Sequence, residues 1–178
     1  MLEQARQKSL ERGVRVMFVR QDMCRLQLPR PVDALVCACD GVNYLLDDDR
    51  ICSFITSARE AVRPGGALAF DISSACKLEH TLGDNFFGED RDEVTYLWGN
   101  RFDAASRTVT MDMTFFIREA DGRYRRFDER HVQKAHEAGH ICDLLEKCGF
   151  RDIRVYGEMT MRPPRANDQR IHFSAIRE

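Results

Sequence analysis

The segment His136-Glu137-Ala138-Gly139-His140 matches H-E-x-x-H, in which two histidines one helical turn apart bind zinc and the glutamate between them activates water. Several features argue against that chemistry here. Asp143 stands where the extended signature needs glycine, no third histidine follows, and Gly139 weakens the helix that would have to hold the ligands. Zinc hydrolysis is therefore the weakest of the chemistries considered. A different grouping is Asp22-Met23, then Cys39-Asp40-Gly41, then Asn43 and Tyr44. Asp40-Gly41 is a turn dipeptide in which glycine permits close backbone approach, and it directly follows an apolar run. His131 is the candidate general base by residue type.

The elements that would position these groups can be read from periodicity. Leu2, Ala5 and Leu10 suggest a helix over about Glu3 to Arg12, ended by Gly13. Val14 to Val19 is β-branched and apolar and reads as a strand leading to Asp22-Met23. Val32 to Cys39 is almost uninterrupted by polar residues, as a central parallel strand buried on both faces requires. Asp47, Asp48 and Asp49 cap a helix carrying Ile51, Phe54, Ile55, Ala58 and Val62. Arg63-Pro64-Gly65-Gly66 ends it, and Ala67 to Ile72 forms the next buried strand. Glu93 to Phe102, Thr108 to Arg118 and Arg123 to His131 predict a meander of three antiparallel strands. A helix follows over Lys134 to Cys148, with Ile141, Leu144, Leu145 and Cys148 on one face. Strands over Asp152 to Tyr156 and Ile171 to Ile176 close the chain.

Q-D-M after the first strand, V-D-A-L-V-C-A-C-D-G-V-N-Y-L, R-P-G-G-A-L-A-F-D-I and L-L-E-K-C-G-F-R-D-I-R-V-Y occur in that order. Together they resemble the class I S-adenosylmethionine-dependent methyltransferases, and more narrowly bacterial members of unassigned substrate. The resemblance implies an α/β, Rossmann-like fold with S-adenosylmethionine as cofactor. It places Asp22 and Met23 against the adenine, with Cys39, Asp40 and Gly41 at the methionine end. Asn43 and Tyr44 would line the methyl-transfer pocket, with His131 and Tyr44 as catalytic candidates. The same residues have plainer roles open to them: Asp22 as a turn cap, Asp40-Gly41 as a turn, Tyr44 as core. The meander over residues 93–131, with Tyr96, Trp98, Tyr124, Glu129 and His131, resembles a lid over the pocket, while Tyr96 and Trp98 also suit packing.

None of the eleven glycines forms a G-x-G pair, whereas the family's first strand ends in a glycine-rich turn against the cofactor. The acidic residue that would hold the ribose is missing too. The resemblance therefore implies that residues 1–178 form a single, partial domain, an N-terminally truncated version of the fold lacking its first two strands, with an inserted three-stranded meander. Strands removed from the centre of a sheet leave unpaired edges and apolar surface, which a homo-oligomer would cover. The expected activity is methyl transfer to a small-molecule acceptor, impaired in this chain. The alternative from another class is a non-catalytic half-domain that serves protein association. A chain of 178 residues with 43% hydrophobic and 31% charged residues matches one globular unit. Its net charge of −2, with scattered Lys and Arg, predicts no nucleic-acid partner. The short apolar runs predict no membrane partner, and seven cysteines without a C-x-x-C pair predict a cytoplasmic protein.

Overall fold

The structure, a computed structural model, describes all 178 residues. Helix α1 (Leu2–Glu11) stops where Gly13 takes φ +64° and the Gly13 N–H returns to the Leu10 carbonyl. The apolar run after it does not become a strand. Residues 14–20 adopt no regular secondary structure and lie in no ladder, and Val14, Val16, Met17 and Val19 are 52%, 54%, 67% and 48% exposed. β-propensity selects an extended backbone, but a strand also needs a neighbour for its N–H and C=O groups, and none lies alongside.

Strand β1 (Val32–Cys37) leads through a short 3-10 turn into helix α2 (Asp48–Ala61) and back into strand β2 (Val62–Ser73), which pairs parallel to β1 with Leu35 opposite Leu68. Asp47 caps α2 by accepting the Arg50 N–H at 2.8 Å. Helix α3 (Ala138–Lys147), strand β7 (Phe150–Tyr156) and strand β8 (Arg170–Arg177) complete this half, giving a sheet ordered β1-β2-β8-β7 in which β8 runs antiparallel to both neighbours. β1 is thus an edge and not the doubly buried central strand its composition predicts; Val36 is 70% exposed. An apolar run specifies what a strand wants beside it, not whether it is there.

The core lies between this sheet and two helices. α2 contributes Ile51, Phe54, Ile55 and Ala58, and α3 contributes Ile141, Leu144 and Leu145. Leu68, Phe70 and Ile72 of β2 and Phe173 of β8 face them, with the Phe70 and Phe173 rings stacked at 4.8 Å. No helix is long and apolar enough to cross a membrane.

The second sheet is an antiparallel meander of four strands, β3 (Phe86–Asp90), β4 (Val94–Asp103), β5 (Thr108–Arg118) and β6 (Tyr124–Lys134), where the sequence predicts three. The extra strand, β3, is Phe-Phe-Gly-Glu-Asp; its glycine and acids hide it from a propensity argument, and pairing with β4 creates it. Leu78 and Leu82 from the segment before β3 meet Val109, Met111 and Ala135 in a small second core under the base of the meander. Asn43, fully buried, ties the two sheets together: its Nδ2 donates to the carbonyls of Ser73 (3.0 Å) and Lys134 (2.9 Å), and its Oδ1 accepts the Ser73 N–H (2.9 Å).

β6 continues to Lys134, so the final helix starts at Ala138 and not at Lys134. His136 therefore precedes that helix and is 5% exposed, with Nε2 buried and unpartnered. Burial, aided by the Lys134 charge and opposed by the Leu45 and Val42 backbone, lowers its pKa below the ordinary 6.5. Below pH 6.5 the unfolded chain then binds a proton that the folded chain refuses. Stability rests on a neutral His136 above that pH and falls as pH drops toward the lowered value. Urea midpoints measured from pH 7.5 to 5.5 should decline, with a shallower decline in His136→Asn; equal slopes would contradict the assignment.

Candidate functional site

The site grows from the end of β1. Cys39 and Asp40 both adopt left-handed backbone, φ +64° and +50°, at a cost on the order of 1 kcal/mol each for non-glycine residues. One buried carboxylate repays that strain. Asp71, near the end of β2, accepts the Cys39 N–H at 2.9 Å and the Asp40 N–H at 3.0 Å. Arg170, at the start of β8, donates through Nη1 to Asp71 and through Nη2 to Asp40 Oδ1 at 2.9 Å. Gln133 of β6 donates to Asp40 Oδ2 at 2.8 Å, so each Asp40 oxygen has a partner. Burial works against the charge on Arg170, but the two carboxylates outweigh it and hold its pKa above the ordinary value.

Gly41 opens the 3-10 turn Gly41–Tyr44, and a Cβ there would lie 3.2 Å from Cys37 Sγ and 3.3 Å from Met23 Cε. Met23 thus packs directly over Gly41, which joins the two segments singled out in the sequence. Asp22 caps the turn Met23–Arg25 by accepting the Cys24 N–H at 2.9 Å, and it faces Arg50 at 3.3 Å. The Cys24 N–H holds the Asp22 carboxyl below the usual range; slight burial opposes this and Arg50 adds to it. The capping role of Asp22 is therefore present whatever else it does.

At the mouth, the Tyr44 hydroxyl lies 3.1 Å from His131 Nδ1, and His131 Nε2 lies 3.2 Å from Glu129 Oε2. The Tyr44 and His131 rings meet edge to face at 5.8 Å. Burial raises the Tyr44 pKa; Gln133 opposes this, and the Asp40 and Glu129 charges reinforce it, so the phenol stays protonated. A surface cleft lined by Cys24, Gln27, Cys52, Ser57 and Glu60 contains none of the candidate site residues.

A family model described as a methyltransferase domain matches residues 1–66. A protein of Geobacillus sp. (strain WCH70), GWCH70_2453, is 29% identical over 175 residues, covering 98% of this chain and 71% of the relative. YqeM of Bacillus subtilis (strain 168) is 30% identical over 161 residues, covering 90% of this chain and 65% of the relative. Both carry provisional methyltransferase names. A crystal structure of an S-adenosylmethionine-dependent methyltransferase from Clostridium acetobutylicum ATCC 824 superposes with a TM-score of 0.90 at 29% identity, over 99% of this chain and 70% of that one. Together these likenesses support a class I S-adenosylmethionine-dependent methyltransferase. DesVI of Streptomyces venezuelae, at 17% identity and a TM-score of 0.74, shares this methyltransferase fold.

In this fold H-E-x-x-H does not form the helical two-histidine arrangement of the zinc signature. His136 and Glu137 lie ahead of α3, so the two histidines are not one helical turn apart. Glu137 pairs with Arg107 at 2.5 Å and His140 with Asp48 at 2.9 Å, and no cluster of three metal-binding side chains exists anywhere in the chain. The residues sequence reasoning missed are Asp71, Gln133 and Arg170. Asp71 had a visible signal, a lone acid inside the apolar run Ala67 to Ile72. Its partner stands 99 residues away and had none.

Replacing Asp71 with alanine strands two backbone N–H groups and leaves the half-buried Arg170 guanidinium with Asp40 alone. Stability should fall by about 1–3 kcal/mol in urea denaturation, and Asp71→Ala/Arg170→Leu should lose less than the sum of the two single changes. Additive single losses would show that the pair is not coupled.

Proposed function

We propose that the chain carries the adenine and methionine side of an S-adenosylmethionine site and directs methyl transfer to a small-molecule acceptor. The observation that supports this most directly is the packing of Met23 over Gly41 beside the clamped Asp40, at the carboxyl end of a parallel strand where α/β folds receive ligands. The residues present fit the two ends of the cofactor. Gly41 lets Met23 and Cys37 pack against the backbone at the end of β1, Asp22 keeps a half-exposed carboxylate beside Arg50, and Asp40 is held in place by Arg170 and Gln133 at the carboxyl end of the strand. No G-x-G turn is among these residues.

S-adenosylmethionine supplies an electrophilic methyl group on a positively charged sulfur. What the chain contributes is placement: Asp22 and Met23 orient one end, Asp40 and Gly41 the other, and Tyr44 and His131 stand where the acceptor's nucleophile would approach. A ligand held at about 1 µM releases about 8 kcal/mol, so one keeping half its contacts binds on the order of 1 mM. Titration of the labelled chain with S-adenosylmethionine, followed by NMR, should shift Asp22, Met23 and Cys39 to Tyr44 in that range, and Asp40→Ala should remove the response. Shifts confined to the Cys24–Glu60 cleft, or none, would overturn this reading.

A second reading is favoured by the exposure of Val14, Val16, Met17, Val19 and Val36: the chain acts as an association module whose apolar face another polypeptide covers. Sedimentation velocity separates the two. An oligomer that persists on dilution and ignores S-adenosylmethionine supports association, and a monomer that responds to it excludes this reading.

A further inference from the structure

Glu129 and His131 are two residues apart on β6 and so share one face of the meander, with the Glu129 carboxylate 3.2 Å from His131 Nε2. A carboxylate ionised at neutral pH can only accept, so the proton of that bond belongs to Nε2. A neutral imidazole has a single N–H, which leaves Nδ1 as a bare acceptor. The Tyr44 hydroxyl, 3.1 Å from Nδ1, must then be the donor. Its remaining lone pairs point away from the histidine, on a residue 44% exposed at the mouth of the site.

We infer that Tyr44, His131 and Glu129 form a proton relay whose outer end is the Tyr44 oxygen, and that the methyl acceptor is therefore a protic nucleophile, a hydroxyl or a primary or secondary amine. This rests on the methyl-transfer reading above. As the acceptor's N or O bonds to the methyl carbon and the carbon–sulfur bond breaks, the acceptor's proton passes to the Tyr44 oxygen while the Tyr44 proton passes to His131 Nδ1. The products are the methylated acceptor, the neutral thioether S-adenosylhomocysteine and an imidazolium paired with Glu129. A thioether or tertiary amine has no proton to give and would leave the relay idle.

Tyr44 is the catalytic residue of the relay, and Glu129 is a positioning residue that acts through the histidine tautomer. Other charges near the relay are already engaged. Asp40 is held by Arg170 and Gln133, Lys134 Nζ donates to the Leu46 carbonyl, and Arg130 pairs with Asp112.

Long-range nitrogen–proton NMR of the full chain reads the tautomer directly, with His131→Gln assigning the signal among the five histidines. The wild type should show neutral His131 protonated on Nε2. Glu129→Ala should lose that preference, while Tyr44→Phe should retain the tautomer. A His131 protonated on Nδ1, or a tautomer unchanged in Glu129→Ala, overturns the relay. Methyl transfer to a thioether probe at a rate unchanged by Tyr44→Phe overturns the acceptor class. The expected tautomer together with no response to S-adenosylmethionine sinks the methyl-transfer reading and leaves the proton geometry standing.

Discussion

The Asp71 carboxylate sets the geometry on which the rest of the site depends. It accepts from two successive backbone amides, Cys39 and Asp40, and from Arg170, while 6% exposed. Without it the chain leaving β1 would have no reason to pay for two left-handed residues in a row, and without that backbone Asp40 would not face Gln133 and Arg170. Buried ion pairs seldom add much net stability, because desolvation consumes most of the attraction. What this one specifies is direction. Left-handed backbone at Cys39 and Asp40 turns the chain so that Gly41 meets Met23 and Tyr44 meets His131.

The contacts between the two halves follow from the same point. Gln133 and Lys134 end the last strand of the meander, and both are bonded to the segment after β1, Gln133 through Asp40 and Lys134 through Asn43 and Leu46. The meander therefore reaches the main sheet through polar groups that also shape the site, with only a small apolar core beneath it. Any displacement of the meander would be felt first at Asp40 and at the Tyr44–His131 contact.

How much of this was legible in the sequence differs by element. The amphipathic stripes of α2 and α3 and the Asp47 cap are local properties, and they are found where periodicity places them. Val14 to Val19 and Val32 to Cys39 misled for a shared reason: β-branched runs encode a demand for neighbours, and here one run has none and the other has one. His136 misled because β6 runs three residues beyond His131, to Lys134, and α3 begins only at Ala138. Asp40, Gly41, Tyr44 and His131 could be nominated from type and context, and the structure brings them to one edge of the fold. The Asp71–Arg170 pair could not, since its spacing of 99 residues belongs to sheet order and to no local pattern.

The bare outer edge of β1 has a consequence of another kind. Its backbone donors and acceptors face outward along a short apolar strand, with Val36 standing clear of the surface and Asp33, paired to Arg63 at 2.6 Å, the only charge on it. Charges and proline on an edge are what normally deter a foreign strand, and a single aspartate at one end is a thin guard. The free edge of β1 is thus open to pairing with another strand, and a charged side chain in place of Val36 would close it to one.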